Sequence, residues 1–129
     1  MSTEIVEDTG AEPLFPYLRR HAIEHEAASR LRGLGYGVIR TDGRYPGVNL
    51  IAMKGDHFRF VCVRRRKKPA GILAQVAKVY AEDLYELRRY ISSIVAADLW
   101  IWSTADRWRY FAVYPGGIQE IGENDASRL

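Results

Sequence analysis

The chain has 129 residues, 47% of them hydrophobic and 27% charged, with a net charge of +3, ordinary values for one globular domain. No apolar run reaches the roughly 18–20 residues needed to span a bilayer, and the acidic start MSTEIVEDTGAEP lacks the basic-then-apolar order of a signal peptide. The single cysteine, Cys62, excludes an internal disulfide framework and fits a reducing cytoplasm.

Residues 1–13 are polar, acidic and without period, which predicts a disordered tail; residues 14–122 form the expected domain, and 123–129 a second tail. From Pro16, Leu18, Ala22, Ala27, Ala28, Leu31 and Leu34 recur at helical steps, predicting an amphipathic helix that ends near Gly33–Gly35. Tyr36–Arg40 reads as a short strand, and Thr41–Gly47, with its Asp-Gly and Pro-Gly pairs, as turn chemistry. Asn49–Met53 and His57–Arg64 read as two strands of a hairpin closed at Lys54-Gly55-Asp56. Alternation along the second strand puts Phe58, Phe60, Cys62 and Arg64 on one face and Arg59, Val61 and Val63 on the other.

Lys67–Gly71 breaks that strand. A long amphipathic helix is then expected over Ile72–Ala96, striped by Ile72, Val76, Val79, Leu84, Leu87, Ile91 and Ile94, with Lys78, Glu82, Glu86 and Arg89 on its polar side. Leu99–Ser103, apolar on both faces, predicts a central strand with Trp100 and Trp102 in the core. Arg107–Tyr114 gives a fifth strand, and Ile118–Ile121 a short edge piece. The order α-β-β-β-α-β-β specifies an α/β fold with a mixed sheet flanked by helices.

Charge is distributed unevenly along this order. Residues 1–26 carry two Lys/Arg against six Asp/Glu, residues 30–68 carry eleven against Asp42 and Asp56, and residues 69–129 carry six against eight. A positive middle third calls for an anionic partner met by one face, or a solvated surface. Its densest part is Arg64, Arg65, Arg66, Lys67 and Lys68, placed at the end of the third strand.

Glu24 followed by Ala27, Ala28, Leu31 and Gly35-Tyr36, then Asn49-Leu-Ile-Ala52, then Phe60-Val-Cys62-Val-Arg64, resembles the PD-(D/E)xK nuclease superfamily, and within it the archaeal Holliday-junction resolvases and Mrr-like endonucleases. The resemblance covers roughly residues 16–114 and implies the restriction-endonuclease-like fold. It implies an active site at Glu24, Asn49, Cys62 and Arg64, where the family has a Glu, an Asp, a Glu and a Lys.

The substitutions change the chemistry at that site. Mg²⁺ prefers anionic oxygen ligands in octahedral geometry. An amide at 49 is a weaker ligand, a thiol at 62 suits softer metals, and Arg64 stays protonated, able to grip a phosphate but not to act as a base. These departures from the family's pattern therefore imply a vestigial centre without metal or other cofactor, where the resemblance by itself implies Mg²⁺. The expected function is DNA binding through Arg64, Arg65, Arg66, Lys67 and Lys68, in a cytoplasmic protein that its relatives' habit makes a possible homodimer.

Two alternatives stand beside this. In one, Asp42, Asp56 or Glu26 relocates the missing carboxylates and a Mg²⁺-dependent endonuclease survives. In the other, the chain is a non-enzymatic partner-binding or structural subunit. Separately, His21-Ala-Ile-Glu24-His25 matches the H-x-x-E-H pattern of zinc peptidases, which needs a third ligand from elsewhere in the chain, whereas a solvated helix face explains the same residues. Gln75 occupies a region where some Mrr-like relatives carry a site glutamine, and Tyr45 sits where a base could stack.

Overall fold

A computed structural model describes residues 19–122. The acidic tail at 1–13, the start of the expected first helix at 16–18 and the tail at 123–129 lie outside the described residues. Helix α1 runs Arg20–Gly33, and strands β1, β2 and β3 follow at Gly37–Tyr45, Val48–Lys54 and His57–Arg66. Two short helices, α2 (Leu73–Val79) and α3 (Ala81–Arg88), precede β4 (Val95–Ser103), β5 (Arg107–Tyr114) and β6 (Gly117–Ile121). The six strands form one mixed sheet in sequential order, antiparallel throughout except for the parallel pair β3 and β4. This is the α/β architecture expected, with one helix more and with the C-terminal edge piece built as a full strand. No helix among the described residues is long and apolar enough to cross a membrane.

Each face of the sheet has its own core. Ile23, Ala27, Ala28 and Leu31 of α1 pack on Leu50, Ala52, Val61, Val63, Trp100 and Trp102. On the other face, Val76, Tyr80, Leu84 and Leu87 of the short helices cover Cys62, Leu99, Ile101 and Phe111. The period-2 alternation of β3 thus sorts its residues as expected, with Val61 and Val63 under α1 and Phe60 and Cys62 on the opposite side. Trp100 and Trp102 are core residues. Helix α1 ends where Gly35 adopts φ 99°, letting the Tyr36 N–H reach Leu31 O at 3.1 Å.

Two expectations are corrected. The helix drawn over Ile72–Ala96 is two helices joined at Tyr80, whose φ −105° and ψ 24° interrupt the coil and whose ring is buried in the core. It then stops at Arg88, because Ser92 turns the chain through its backbone bonds with Val95, and the β-branched pair Ile94-Val95 leads into β4. Of its apolar stripe, Val76, Leu84 and Leu87 are buried, while Ile72 and Val79 are exposed, as are Leu73 and Tyr85 beside them.

The second correction concerns Thr41–Gly47. Strand β1 continues through Tyr45, and only Pro46-Gly47 turns, with Tyr45 pairing Val48. The Asp42-Gly43 signal is realised as a kink inside the strand, at φ 55° and 82°, where the β1–β2 register slips between Arg40 and Tyr45. Thr41 Oγ1 donates to Val48 O across that slip. Gly47 is required where it stands: it has φ 75°, and a Cβ there would lie 2.9 Å from Glu86 Cβ and 3.3 Å from Asp83 O. The β1–β2 turn is therefore pressed against α3, which fixes the position of Asp83.

Candidate functional site

Where the β2–β3 ladder ends, the sheet opens and residues from its two faces meet. The last paired residues are Leu50 and Val61. Beyond them Asn49, 7% exposed, uses its side chain in place of the backbone: its Oδ1 accepts the Val63 N–H at 2.7 Å. The same oxygen accepts from Arg64 Nη1 at 3.0 Å, and Asn49 Nδ2 donates to Glu24 Oε2 at 3.3 Å. Asn49 thus ties α1 on one face to the end of β3.

Glu24 is 6% exposed and surrounded by cations. Arg40 Nη2 donates to its Oε1 at 3.2 Å, and Arg20 Nε lies 3.6 Å from its Oε2. On the other side Arg64 holds Asp83 of α3 through two parallel bonds, Nε to Oδ2 at 3.0 Å and Nη2 to Oδ1 at 2.7 Å. Arg64 Nη1 also donates to Val63 O at 2.9 Å. Three arginines and two carboxylates therefore interlock through one amide.

Of the four residues expected at the centre, Glu24, Asn49 and Arg64 are joined by hydrogen bonds. Cys62 lies beneath them, fully buried among Val48, Val76 and Leu84. Burial pushes its thiol up to about 12, with Arg64 pulling it down and Asp83 adding to the rise. At neutral pH it is a neutral core group and not a thiolate ligand.

The carboxylates considered as replacements are not among the residues that bond to Glu24, Asn49 or Arg64. Asp56 is exposed at the β2–β3 turn, pairing with His57 Nδ1 at 3.1 Å, eight residues or roughly 26 Å along the strand from Arg64. Asp42 is exposed at the β1 kink. Glu26 accepts from Trp108 Nε1 at 2.7 Å and from Arg30 at 3.4 Å. The residue that does join the centre is Asp83, which the sequence offered only as one acid of a helix. Arg40, one of the cations of the positive middle third, is Glu24's partner.

The donor set does not suit the Mg²⁺ that the resemblance implies. Both oxygens of Glu24, both of Asp83 and the one of Asn49 already accept from arginine, amide or backbone N–H groups, and three guanidinium charges stand within the cluster. Among the described residues no group of three or more His, Cys, Asp or Glu could hold a metal ion. The zinc pattern dissolves for the same reason: His21 and His25 are exposed while Glu24 turns inward.

The basic run leaves the cluster along β3. Arg64, Arg65 and Arg66 pair in register with Ile101, Trp102 and Ser103 at the C-terminal ends of the parallel strands β3 and β4, the end of an α/β sheet where ligands commonly bind. Arg65, Lys67 and Lys68 are exposed, and Arg66 Nε donates to Lys68 O at 2.9 Å. Gln75 is used locally, its Oε1 accepting the Ile72 N–H at 3.0 Å at the start of α2, and Tyr45 is half exposed beside the β1–β2 turn. A concavity of about 500 Å³ lies at the opposite end of the sheet, lined by Arg59, Ile94, Asp98 and Tyr114 among others. It includes none of the clustered residues.

In a comparison with solved structures, the chain is similar to Hjc, a Holliday junction resolvase from the hyperthermophilic archaeon Archaeoglobus fulgidus. The match covers 81% of this chain and 84% of that one, at 18% identity and a TM-score of 0.47. No protein-family model matches the sequence, and no curated protein does.

Proposed function

We propose that this chain binds the phosphate backbone of DNA through Arg64, Arg65, Arg66, Lys67 and Lys68, and that it does not cut it. One observation carries this: four cations, Arg65 to Lys68, follow directly on Arg64 at the C-terminal end of the β3–β4 pair, next to a centre whose acids are already neutralised by arginine. In-line hydrolysis through bound metal needs clustered anionic oxygens open to the ion. Here each such oxygen faces a guanidinium or an amide. What is left is a positive surface suited to phosphates, which gives binding that is insensitive to sequence and sensitive to salt.

The test is a pair of assays on the full chain. Fluorescence anisotropy with linear and branched duplexes across a salt series should show affinity falling steeply with salt. Changing Arg65, Lys67 and Lys68 together to Gln should flatten that dependence, by about one slope unit for each phosphate that is no longer neutralised. Incubating the same duplexes with Mg²⁺ or Mn²⁺ should leave them intact. Metal-dependent cutting that Glu24→Ala abolishes would overturn the proposal in favour of a working endonuclease. If no duplex binds even at low salt, a partner-binding subunit takes its place, and the exposed Ile72, Leu73, Val79 and Tyr85 of α2 and α3 are where its partner would be sought.

A further inference from the structure

Arg64 is anchored on one edge and occupied on the other. Its Nη1 is held to the sheet by two acceptors, Asn49 Oδ1 and Val63 O, neither of which carries charge. Its Nε and Nη2, the two parallel donors that fit a carboxylate or a phosphate equally well, point away from that anchor onto Asp83. The pair is partly open to solvent, with the two side chains 29% and 24% exposed. Asp83 is positioned independently, in the first turn of α3 where the helix dipole favours an acid, with α3 itself seated against Gly47.

From this arrangement we infer a phosphate seat at Arg64 in which Asp83 is a resident competitor. The guanidinium keeps its orientation through Asn49 and Val63 when Asp83 leaves, so a phosphodiester oxygen pair can take the Nε and Nη2 donors by exchange. Charge favours the exchange once the ligand is near, because Arg65, Arg66, Lys67 and Lys68 follow immediately. Asp83 sets the threshold. A single weak anion does not displace it, whereas a polyanion held by the neighbouring cations does. Asn49 is the positioning residue and Arg64 the contact. This rests on the nucleic-acid reading for its natural ligand, but the seat itself can be tested without DNA.

The experiment compares the full chain with Asp83→Asn, Arg64→Lys and the double variant. Inorganic phosphate is titrated while the Arg64 Nε–H resonance is followed by NMR in the parent and Asp83→Asn proteins, and a 30-base-pair duplex is titrated by anisotropy against all four; amide spectra establish that each variant is folded. Asp83→Asn should tighten phosphate and duplex binding by about tenfold, the worth of one charge-assisted competitor in a partly exposed site. Lys at 64 keeps the charge but not the fork, so the double variant should lose that gain. A folded Asp83→Asn protein whose Arg64 resonance responds to phosphate no more than the parent's would sink the seat, whatever the duplex does. If phosphate seats on Arg64 but no variant holds the duplex, the DNA proposal fails and the seat stands. If the duplex binds with a steep salt dependence and Asp83→Asn changes nothing, the reverse holds.

Discussion

Two arginine–carboxylate pairs sit at opposite ends of β3, and they are built for different work. Arg59 Nη1 donates to Asp98 Oδ2 at 2.6 Å, with the two side chains 3% and 1% exposed, and Trp100 Nε1 donates to the same oxygen at 3.1 Å. Arg64 and Asp83 make a bond of similar length while 29% and 24% of their side chains are open to water. The deep pair holds its partners, since a competitor would have to shed its hydration to reach side chains this little exposed. The shallow pair can exchange its own. The same two residue types therefore serve as a fixture in one place and as a replaceable contact in the other, and solvent access, not bond length, makes the difference.

That contrast breaks most visibly when a partner is removed from the deep pair. Asp98→Ala leaves Arg59 charged and buried without its carboxylate, and should cost about 3–5 kcal/mol of unfolding free energy, read by urea denaturation. Replacing both, as Arg59→Met with Asp98→Asn, should recover most of the loss, because no buried charge is left and the amide keeps an acceptor for Trp100 Nε1. If the single and double variants were equally damaged, the pair's role would be packing and not charge.

The next effect in size tests how dry the interior beneath the shallow pair is. A thiol raised to about 12 in the folded chain, above its ordinary value near 9, keeps its proton while the unfolded chain loses its own. Its contribution is complete below pH 9 and is lost as pH rises from 9 toward 12, at up to about 1.4 kcal/mol per pH unit. Cys62→Ala should show a shallower stability decline than the parent over that window, even though it starts lower from the cavity it leaves. Parallel curves would mean that water reaches Cys62.

The smallest effect comes from a third arginine pair, at the surface. Arg109 grips Glu120 across β5 and β6 at 2.8 and 2.9 Å, and that hydrogen bonding holds the Glu120 carboxyl below its usual range. The stabilisation is present at neutral pH and lost as pH falls through the lowered value. With Glu120 43% exposed, screening should keep the cost of Glu120→Gln well under about 1 kcal/mol at pH 7, and near zero in strong salt. A thermal shift of several degrees would show that exposure is a poor guide to what these pairs are worth.

Much of the fold was legible because its signals are local. Alternation along His57–Arg64 assigns the side chains of the third strand to faces, and the apolar run before Ser103 marks the central strand, both before any partner is known. The helical period misled only where tertiary packing overrode it. At Tyr80 the chain bends to bury a ring, and at Ile94-Val95 β-branched residues join a sheet already waiting beside β3. Asp42-Gly43 was a correct signal of unusual backbone and a wrong indicator of chain reversal, since a positive φ serves a strand kink as well as a turn.

The candidate site was half legible. That Glu24, Asn49 and Arg64 meet was implied by the resemblance they carry, and the basic run is visible in the one-letter code. Asp83 and Arg40 could not be placed there, because their partners lie 19 and 16 residues away in the chain and nothing local distinguishes an acid that meets an arginine from one that meets water. By itself the sequence determined the strand faces, the order of the elements and where positive charge accumulates, all properties of neighbours in the chain. Only the tertiary structure decided which charges are neutralised, which are buried and which can change partners, because those depend on distances and solvent access that arise when remote segments pack.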